Sequence, residues 1–349
     1  MAGRAGPVGA RMSGGPPDPG IEADALSAPF GGLTPDRILD VLEAHGLVCD
    51  GRLLALNSYE NRVYQVGLED ETPCVVKFYR PGRWSDAAIL EEHRFVGQLA
   101  EREIPAVPPL EFPGQGTLLH AGRERFSVFP RQGGHAPELD DPETLTRLGR
   151  FIARIHGVGA MEDFRHRPTL DAETFGMRSR AFLLDNRIIP ADLEPVYRGV
   201  VDQALEGVAH CYRRAGQVRA LRLHGDCHGG NVLWTDAGPH FVDFDDTRMG
   251  PAIQDLWMLL SGDPESMAAQ WAAIREGYED FRDFDLRELH LIEALRTLRL
   301  IHYSAWIARR WHDPAFPMAF PFFDNPRYWE DRILELREQI AVMDEPAIL

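Results

Sequence analysis

The apolar positions in the first part of the chain predict a small sheet with helices beside it. Helical spacing covers residues 35–45 and 86–103, and Thr34 and Ser85 are suitable N-caps for these two helices. We expect a mostly antiparallel sheet with one inserted helix. Its strands are short apolar runs bounded by turn residues, over 53–56, 63–66, 74–79, 117–120 and 125–129.

Helical patterns dominate the rest of the chain. One island of short strands interrupts them, at 221–223, 232–234 and 241–243. Before the helices begin, residues 131–134 (Arg-Gln-Gly-Gly) have the composition of a hinge. The predicted helices cover 142–156, 191–215, 253–260, 264–281 and 286–311.

Together these patterns predict an α+β fold with two lobes. Residues 1–32 are rich in Gly, Pro and Ala and lack the apolar core of a secretory signal, so we expect a disordered leader there. An N-lobe sheet over 33–130, a hinge over 131–134 and a helical C-lobe over 135–349 would follow. A ligand of such a protein is expected between the lobes.

The densest polar cluster lies in the strand island. Residues 224–231 read His-Gly-Asp-Cys-His-Gly-Gly-Asn, and Asp243 comes twelve residues after Asn231. Asp226 and Asp243 each follow an apolar run, so short strands would deliver both carboxylates into loops. Phosphoryl transfer needs oxygen ligands for a divalent cation and a carboxylate that orients the acceptor hydroxyl. Asn231 and Asp243 are therefore candidate Mg²⁺ ligands, and Asp226 is the candidate proton acceptor.

Phosphoryl transfer also needs a cation that neutralises the phosphates, and the charged residues supply one candidate. The chain has 54 acidic and 37 basic residues and a net charge of −17, and Lys77 is its only lysine. Because Phe78 follows Lys77, this lysine is not part of a P-loop, which requires Ser or Thr at that position. The segment Asp243-x-Asp245 resembles the opening motif of haloacid-dehalogenase-type phosphatases. Those enzymes normally use a downstream lysine, and none follows Asp243.

Composition also bears on partners and compartment. The acidic balance argues against a broad nucleic-acid-binding surface, and no apolar stretch approaches the roughly 18 residues of a membrane span. The four cysteines are widely spaced and form no Cys-x-x-Cys pair, which favours reduced thiols in a cytoplasm. We expect a cytoplasmic monomer that binds ATP and has neither nucleic-acid nor membrane partners.

Residues 224–231 followed by Asp243-Phe244-Asp245 resemble the catalytic and metal loops of the aminoglycoside phosphotransferase-like kinases, which are relatives of the protein kinases. The resemblance covers roughly residues 33–345. It implies a bilobal protein kinase-like fold, ATP- and Mg²⁺-dependent phosphorylation of Ser or Thr in proteins, autophosphorylation among its reactions, and a role in stress. Longer stretches are similar to bacterial stress response kinases, over 56–64, 75–81, 89–93, 251–260 and 311–317.

The resemblance implies a role for each matching residue. Asp226 and Asp243 are the expected catalytic residues, and Asn231 and Asp243 the expected metal ligands. Asp255 resembles the aspartate that braces the catalytic loop. The expected nucleotide-binding residues are Ser58 in the loop that covers the phosphates, Lys77, and Glu92, which pairs with Lys77 and is preferred over Glu91.

Two departures from the protein-kinase pattern stand out. The cover loop, residues 57–62, contains no glycine, and Asp245 stands where protein kinases have glycine. A second carboxylate there could bind metal or prevent the inactive flip of the loop. The segment from Asp243 to about residue 253 is also too short for an activation loop of the eukaryotic kind.

Three other functions stay open from the sequence. The main alternative is the same chemistry on an amino alcohol, a sugar or an aminoglycoside, and the net charge favours a cationic acceptor. A nucleotide-binding regulator without catalysis is disfavoured because every expected catalytic position is filled. A zinc hydrolase would use His224 and His228, but no third clustered histidine accompanies them.

Overall fold

The computed structural model describes residues 29–345. Most of the predicted leader, residues 1–28, lies outside the described residues, as do residues 346–349. The described chain forms a five-stranded antiparallel sheet with helices, followed by a mainly helical lobe. The predicted α+β bilobal class is therefore confirmed.

The N-lobe is built from the sheet and two helices. Helix α1 (Pro35–Ala44) begins at Thr34 and helix α2 (Asp86–Ala100) begins at Ser85, and each capping hydroxyl accepts a backbone N–H of the first turn. Helix α2 is inserted in sequence between the third and fourth strands. The strands, arranged in the order β1-β2-β3-β5-β4, are β1 (Cys49–Ala55), β2 (Arg62–Leu68), β3 (Cys74–Phe78), β4 (Leu119–Ala121) and β5 (Glu124–Pro130).

Strand alternation directs Lys77 away from the core of the sheet. Val76 and Phe78, its neighbours on β3, are buried in a cluster that includes apolar residues of α1. Lys77 pairs in register with Ser127 of β5, and its side chain faces the opposite side. Helix α2 lies on that side and presents Glu92 to Lys77. The only lysine of the chain therefore points into the space between the sheet and the C-lobe.

The C-lobe of the described chain is mainly helical. Two short antiparallel strand pairs interrupt the helices: β6 (Leu221–Leu223) with β9 (Arg248–Gly250), and β7 (Val232–Thr235) with β8 (Gly238–Phe241). The helices are α3 (Pro142–Gly159), α4 (Arg178–Asp185), α5 (Glu194–Ala215), α6 (Ile253–Trp257), α7 (Pro264–Glu279), α8 (Ile292–Arg309), α9 (Ala315–Ala319) and α10 (Pro326–Met343).

The structure corrects several predicted elements of the C-lobe. The strand predicted over 241–243 ends at Phe241, because Asp243 has a φ of 58° that a continuing strand does not permit. The helix predicted over 286–311 begins as a 3₁₀ turn (Leu286–Leu291) before α8. Helices α4 and α10 and strand β9 were not predicted. In α10, Trp329 packs edge-on against a tyrosine of α5, so tertiary contacts bury this helix.

The strand pairs position two loops at the cleft between the lobes. Strand β6 leads into residues 224–231, the predicted catalytic loop, and strand β8 leads toward residues 243–246, the predicted metal loop. Of the helices within the described residues, none combines the length and apolar character that a membrane crossing requires.

Candidate active site

A buried carboxylate holds the beginning of the catalytic loop. Asp255 of helix α6 accepts the backbone N–H groups of His224 and Gly225, each at 2.8 Å. His156 of helix α3 lies 3.1 Å from the same carboxylate. Position 225 requires glycine, because its φ is +86° and a Cβ atom there would collide with the carbonyl oxygen of Asp246. Asp255 thus makes the bracing contact that the resemblance implies.

Asp226 has a contact on each of its carboxylate oxygens. Oδ1 accepts a hydrogen bond from Arg299 of helix α8 at 2.8 Å, and Oδ2 lies 3.5 Å from Nε2 of His228. Nδ1 of His228 accepts the backbone N–H of Gly230, so the proton of a neutral ring is on Nε2 and faces Asp226. Burial by itself raises the pKa of Asp226. The contacts with His228 and Arg299 lower this pKa by a larger amount, so it lies below its usual value. Asp226 is therefore an ionised carboxylate that can accept a proton.

Asn231 and Asp243 meet at one end of the β7–β8 pair. The carbonyl of Asn231 accepts the backbone N–H of Val242 at 3.1 Å, which joins the catalytic loop to the residue before Asp243. The side-chain amide nitrogen of Asn231 donates to the backbone carbonyl of Asp226 at 2.9 Å. The side-chain amide oxygen of Asn231 therefore points away from that carbonyl. Asp243 adopts a left-handed backbone conformation, which aspartate tolerates better than most residues, and its side chain is 57% exposed.

Lys77 lies among three carboxylates. Its Nζ atom is 3.0 Å from Asp245 Oδ1, 3.2 Å from Asp243 Oδ1 and 3.7 Å from Glu92 Oε1. Burial alone would lower the pKa of Lys77, but these carboxylates raise it well above its usual value. The ammonium charge is therefore retained in the cleft. The neighbouring Glu91 is not part of this cluster, since it accepts two backbone N–H groups of the segment after α3.

The second carboxylate of the metal loop is engaged within the protein. Asp245 is buried, forms ion pairs with Lys77 and Arg83, and receives a hydrogen bond from Arg167 on its backbone carbonyl at 2.6 Å. Burial raises the pKa of Asp245, but Arg83 and Lys77 bring it down to about 2. Asp246 is paired with two arginines in the same manner. Asp245 thus supports Lys77 and the metal loop through these ion pairs.

Sequence patterns did not identify three arginines of this site. Arg83 pairs with the metal loop, and Arg299 contacts Asp226. Arg167 joins helix α2 to the metal loop, because one guanidinium group pairs with Glu92 and donates to the carbonyl of Asp245. The chain has 36 arginines besides Lys77, so residue type alone carries no signal for these three.

The cover loop is fastened to the C-lobe at its tip. Glu60 accepts the indole N–H of Trp306 at 2.5 Å and pairs with Arg310 at 2.7 Å. Ser58 donates to the carbonyl of Asn61 at 3.3 Å, which closes the turn of the loop. Side-chain contacts therefore hold this glycine-free loop over the cleft.

A cavity of about 320 Å³ lies between the lobes beneath the cover loop. Asp226 and Asn231 do not line it, but Asn231 lies beside the lining residues Gly230 and Val242 and contacts Asp226. Its far wall is apolar and includes Val63, Val75, Phe129 and Leu233. The predicted site residues that line it are Ser58, Lys77, Glu92 and Asp243.

The residues present fit a hard divalent cation. Asn231 and Asp243 offer an amide and a carboxylate oxygen, the donor types that Mg²⁺ prefers. Among residues 29–345, no three His, Cys, Asp or Glu side chains form a ready-made metal cluster. A cation held by Asn231 and Asp243 would therefore need phosphate oxygens of a nucleotide as well, which is the usual arrangement for Mg²⁺ in phosphoryl-transfer sites.

Comparison with known proteins relates most of the chain to one family. The phosphotransferase enzyme family matches residues 52–292. Stress response kinase A of Escherichia coli (strain K12) is 46% identical over 319 residues, which cover 91% of this chain and 96% of that protein. The serine/threonine protein kinase RdoA of Salmonella typhimurium (strain LT2) is 43% identical with the same coverage.

Solved structures share the fold at much lower identity. An amicoumacin kinase in complex with AMP-PNP and Ca²⁺ has a TM-score of 0.68 at 17% identity, covering 90% of this chain and 95% of that chain. A microcompartment-associated aminopropanol kinase has a TM-score of 0.63 at 19% identity, covering 88% and 96%. The chain therefore belongs to the phosphotransferase enzyme family and, within it, to the stress response kinases.

Proposed function

We propose that this protein is an ATP- and Mg²⁺-dependent kinase that phosphorylates Ser or Thr hydroxyls of proteins. The observation that carries the proposal is the approach of Lys77 to Asp243. These residues are 166 positions apart, and their side chains lie 3.2 Å apart at the wall of a cavity of about 320 Å³. A phosphate cation and a metal-binding carboxylate side by side are what phosphoryl transfer requires.

The nucleotide would occupy the cavity between the lobes. Its base would lie against the apolar wall near Val63 and Leu233, and its phosphates would face Lys77. Ser58 would supply a hydroxyl from the cover loop, where protein kinases supply glycine backbone. When bound by Asn231 and Asp243, Mg²⁺ would neutralise charge on the phosphates.

The residues at the edge of the cavity would act on the acceptor. Asp226 would orient the acceptor hydroxyl and take up its proton as the hydroxyl oxygen bonds to the γ-phosphorus. Lys77, held by Glu92 and Asp245, would keep its charge on the non-transferred phosphates. Asp255 would keep the catalytic loop in place through its two backbone contacts.

A protein acceptor is supported by the relatives. Stress response kinase A is 46% identical across almost the whole chain, and one relative is named a serine/threonine protein kinase. We extend this to a role in the stress response, with autophosphorylation among its reactions and a cytoplasmic monomer as the working form. The rival acceptor is a small alcohol, which the net charge of −17 favours if the acceptor is cationic.

Labelled ATP distinguishes these acceptors. The purified protein is incubated with labelled ATP and Mg²⁺, first with a generic protein substrate and then with a panel of amino alcohols, sugars and aminoglycosides. We expect label on protein, including the kinase itself, and its loss when Mg²⁺ is chelated. Label on small molecules alone would contradict the protein-kinase proposal and leave the phosphotransferase chemistry standing.

Replacement of the proton acceptor tests the chemistry itself. In Asp226→Asn, phosphate transfer should fall about a hundredfold or more, because the hydroxyl proton loses its acceptor. ATP affinity, measured by calorimetry, should stay within about twofold, since Asp226 is outside the cavity lining. Asp236→Asn, in the exposed turn between β7 and β8, is the matched control and should retain activity. Transfer that survives Asp226→Asn would remove Asp226 from the role of base.

A further inference from the structure

Arg299 reaches the candidate base from a distant helix. It lies on helix α8, and its Nη1 atom donates to Oδ1 of Asp226 at 2.8 Å across 73 positions of sequence. The contact is a charge-assisted hydrogen bond, with the Asp226 side chain 24% exposed and the Arg299 side chain 42% exposed. Within the described residues, Arg299 has no other ion-pair partner.

Helix α8 and the residue that follows it contact both the cover loop and the catalytic loop. Near its C-terminal end, Trp306 and the following Arg310 hold Glu60 of the cover loop. Arg299 lies about two turns earlier and faces the catalytic loop. The helix therefore runs from the cover loop to the candidate base, and the position of Arg299 is set by a rigid element.

The other charged groups near Asp226 are already engaged or distant. His228 faces its Oδ2 atom at 3.5 Å, which is beyond normal hydrogen-bond distance. Asp246 repels the carboxylate from the metal loop, and Arg248 is paired with Asp246. Arg299 is therefore the cation that makes a direct hydrogen bond with the candidate base.

We propose that Arg299 is the positioning residue of the base: it fixes the orientation of the Asp226 carboxylate while an acceptor hydroxyl binds. This inference rests on the proposed kinase function. A carboxylate has about four lone-pair sites, so Oδ1 can keep its contact with Arg299 while another lone pair accepts the acceptor O–H.

The transfer step then balances without any further reactant. The acceptor oxygen bonds to the γ-phosphorus, the bond from the γ-phosphorus to the β–γ bridging oxygen breaks, and its electron pair leaves with ADP. The hydroxyl proton passes to Asp226. Arg299 loses no proton in this step, because the pKa of a guanidinium is far above neutral pH.

The role predicts a split between the two kinetic constants. Arg299 contacts the candidate base and is not among the residues that line the cavity, so its removal should lower kcat and leave KM for ATP nearly unchanged. A contact that orients the carboxylate through a charged donor should also be restored in part by lysine, which keeps the charge.

Three variants test the inference in the full chain with ATP and Mg²⁺. Arg299→Gln should lower kcat about tenfold to a hundredfold and leave KM for ATP within about twofold. Arg299→Lys keeps the charge and should restore part of kcat. Arg275→Gln on helix α7 is the matched control: its side chain is 40% exposed, compared with 42% for Arg299, and it pairs with Glu279 on its own helix.

The outcomes separate this inference from the proposed function. If the wild-type protein transfers no phosphate, the proposed function fails. If the wild type is active and Arg299→Gln keeps the wild-type kcat, Arg299 is not the positioning residue, and a raised KM for ATP with unchanged kcat overturns the role in the same way. Should Arg299→Gln melt at a lower temperature than the control, Arg299→Lys decides: partial recovery of kcat supports the role, and a kcat as low as that of Arg299→Gln with wild-type melting contradicts it.

Discussion

Two carboxylates of the metal loop, only two residues apart, have opposite surroundings. The Asp243 side chain is 57% exposed at the cavity, whereas the Asp245 side chain is 4% exposed and lies between Lys77 and Arg83. The difference arises from the backbone. Asp243 has a φ of 58°, and the 3₁₀ turn that follows directs Phe244 into the core. One short motif thus supplies a carboxylate that is open to a ligand and a carboxylate that builds the site.

The contrast shows how a polar cleft can be both stable and reactive. Asp245 is compensated by buried cations, so its charge contributes to structure. Asp243 shares one cation, Lys77, with two other carboxylates and keeps oxygen atoms available at the surface. Ligand binding and folding stability should therefore respond to different residues of the same loop.

The largest expected effect is on catalysis at the open carboxylate. Asp243→Asn should lower kcat about a thousandfold, because the oxygen charge that would hold Mg²⁺ at the phosphates is lost. Its free energy of unfolding should change by about 0.5 kcal/mol or less, since the side chain is exposed. Steady-state kinetics and urea unfolding measure the two quantities. A large loss of stability in Asp243→Asn would remove the contrast with Asp245.

The second effect is on stability at the buried carboxylate. Asp245→Asn removes one of the carboxylates that neutralise Lys77 and Arg83. Both cations keep other carboxylate partners, so we expect a cost of about 3–4 kcal/mol of unfolding free energy, the lower part of the range for breaking a buried ion pair. Asp280→Asn is the control, because Asp280 also pairs with an arginine but at an exposed site. The control should cost about 1 kcal/mol or less in urea unfolding. Equal costs at both positions would show that burial does not distinguish the pairs.

The smallest effect concerns a buried carboxylate that makes no ion pair. Glu288 accepts the backbone N–H of Ile253 at 2.8 Å, at the start of the helix that carries Asp255. Burial raises the pKa of Glu288 to about 7, in contrast to the lowered pKa of Asp245. Because the folded-state pKa is raised, the stabilising contribution of protonated Glu288 is complete below about pH 4.5 and is lost as the pH rises through about 7.

The variant Glu288→Gln tests the direction of this change in stability with pH. The variant cannot ionise, so relative to the wild type it should gain up to about 3 kcal/mol of unfolding free energy between pH 5 and pH 8. Urea unfolding of both proteins at four pH values in this range measures the difference. A difference that stays constant with pH would mean that Glu288 is ionised in the folded protein.

Local patterns in the sequence were sufficient to predict the main elements of the N-lobe and the positions of the motifs. Thr34 and Ser85 cap helices as predicted, because capping depends on a few neighbouring residues. The sheet strands lie close to their predicted positions, since their apolar runs are bounded by clear turn residues. Helix α10 was not predicted, and its helical state is stabilised by burial against α5. The predicted lobe boundaries and the predicted roles of all the site residues stay predictions.

The sequence by itself determined which residue types were available to the site. It identified Lys77 as the only ammonium of the chain and placed Asp226, Asn231 and Asp243 in loops after short strands. Only the tertiary structure decided which charges meet. Arg167, Arg299 and Glu60 find partners 73 to 250 positions away, and nothing local in the sequence encodes such a distance. The physical reason is that ion pairing depends on separation in space and on burial, and both are properties of the folded chain.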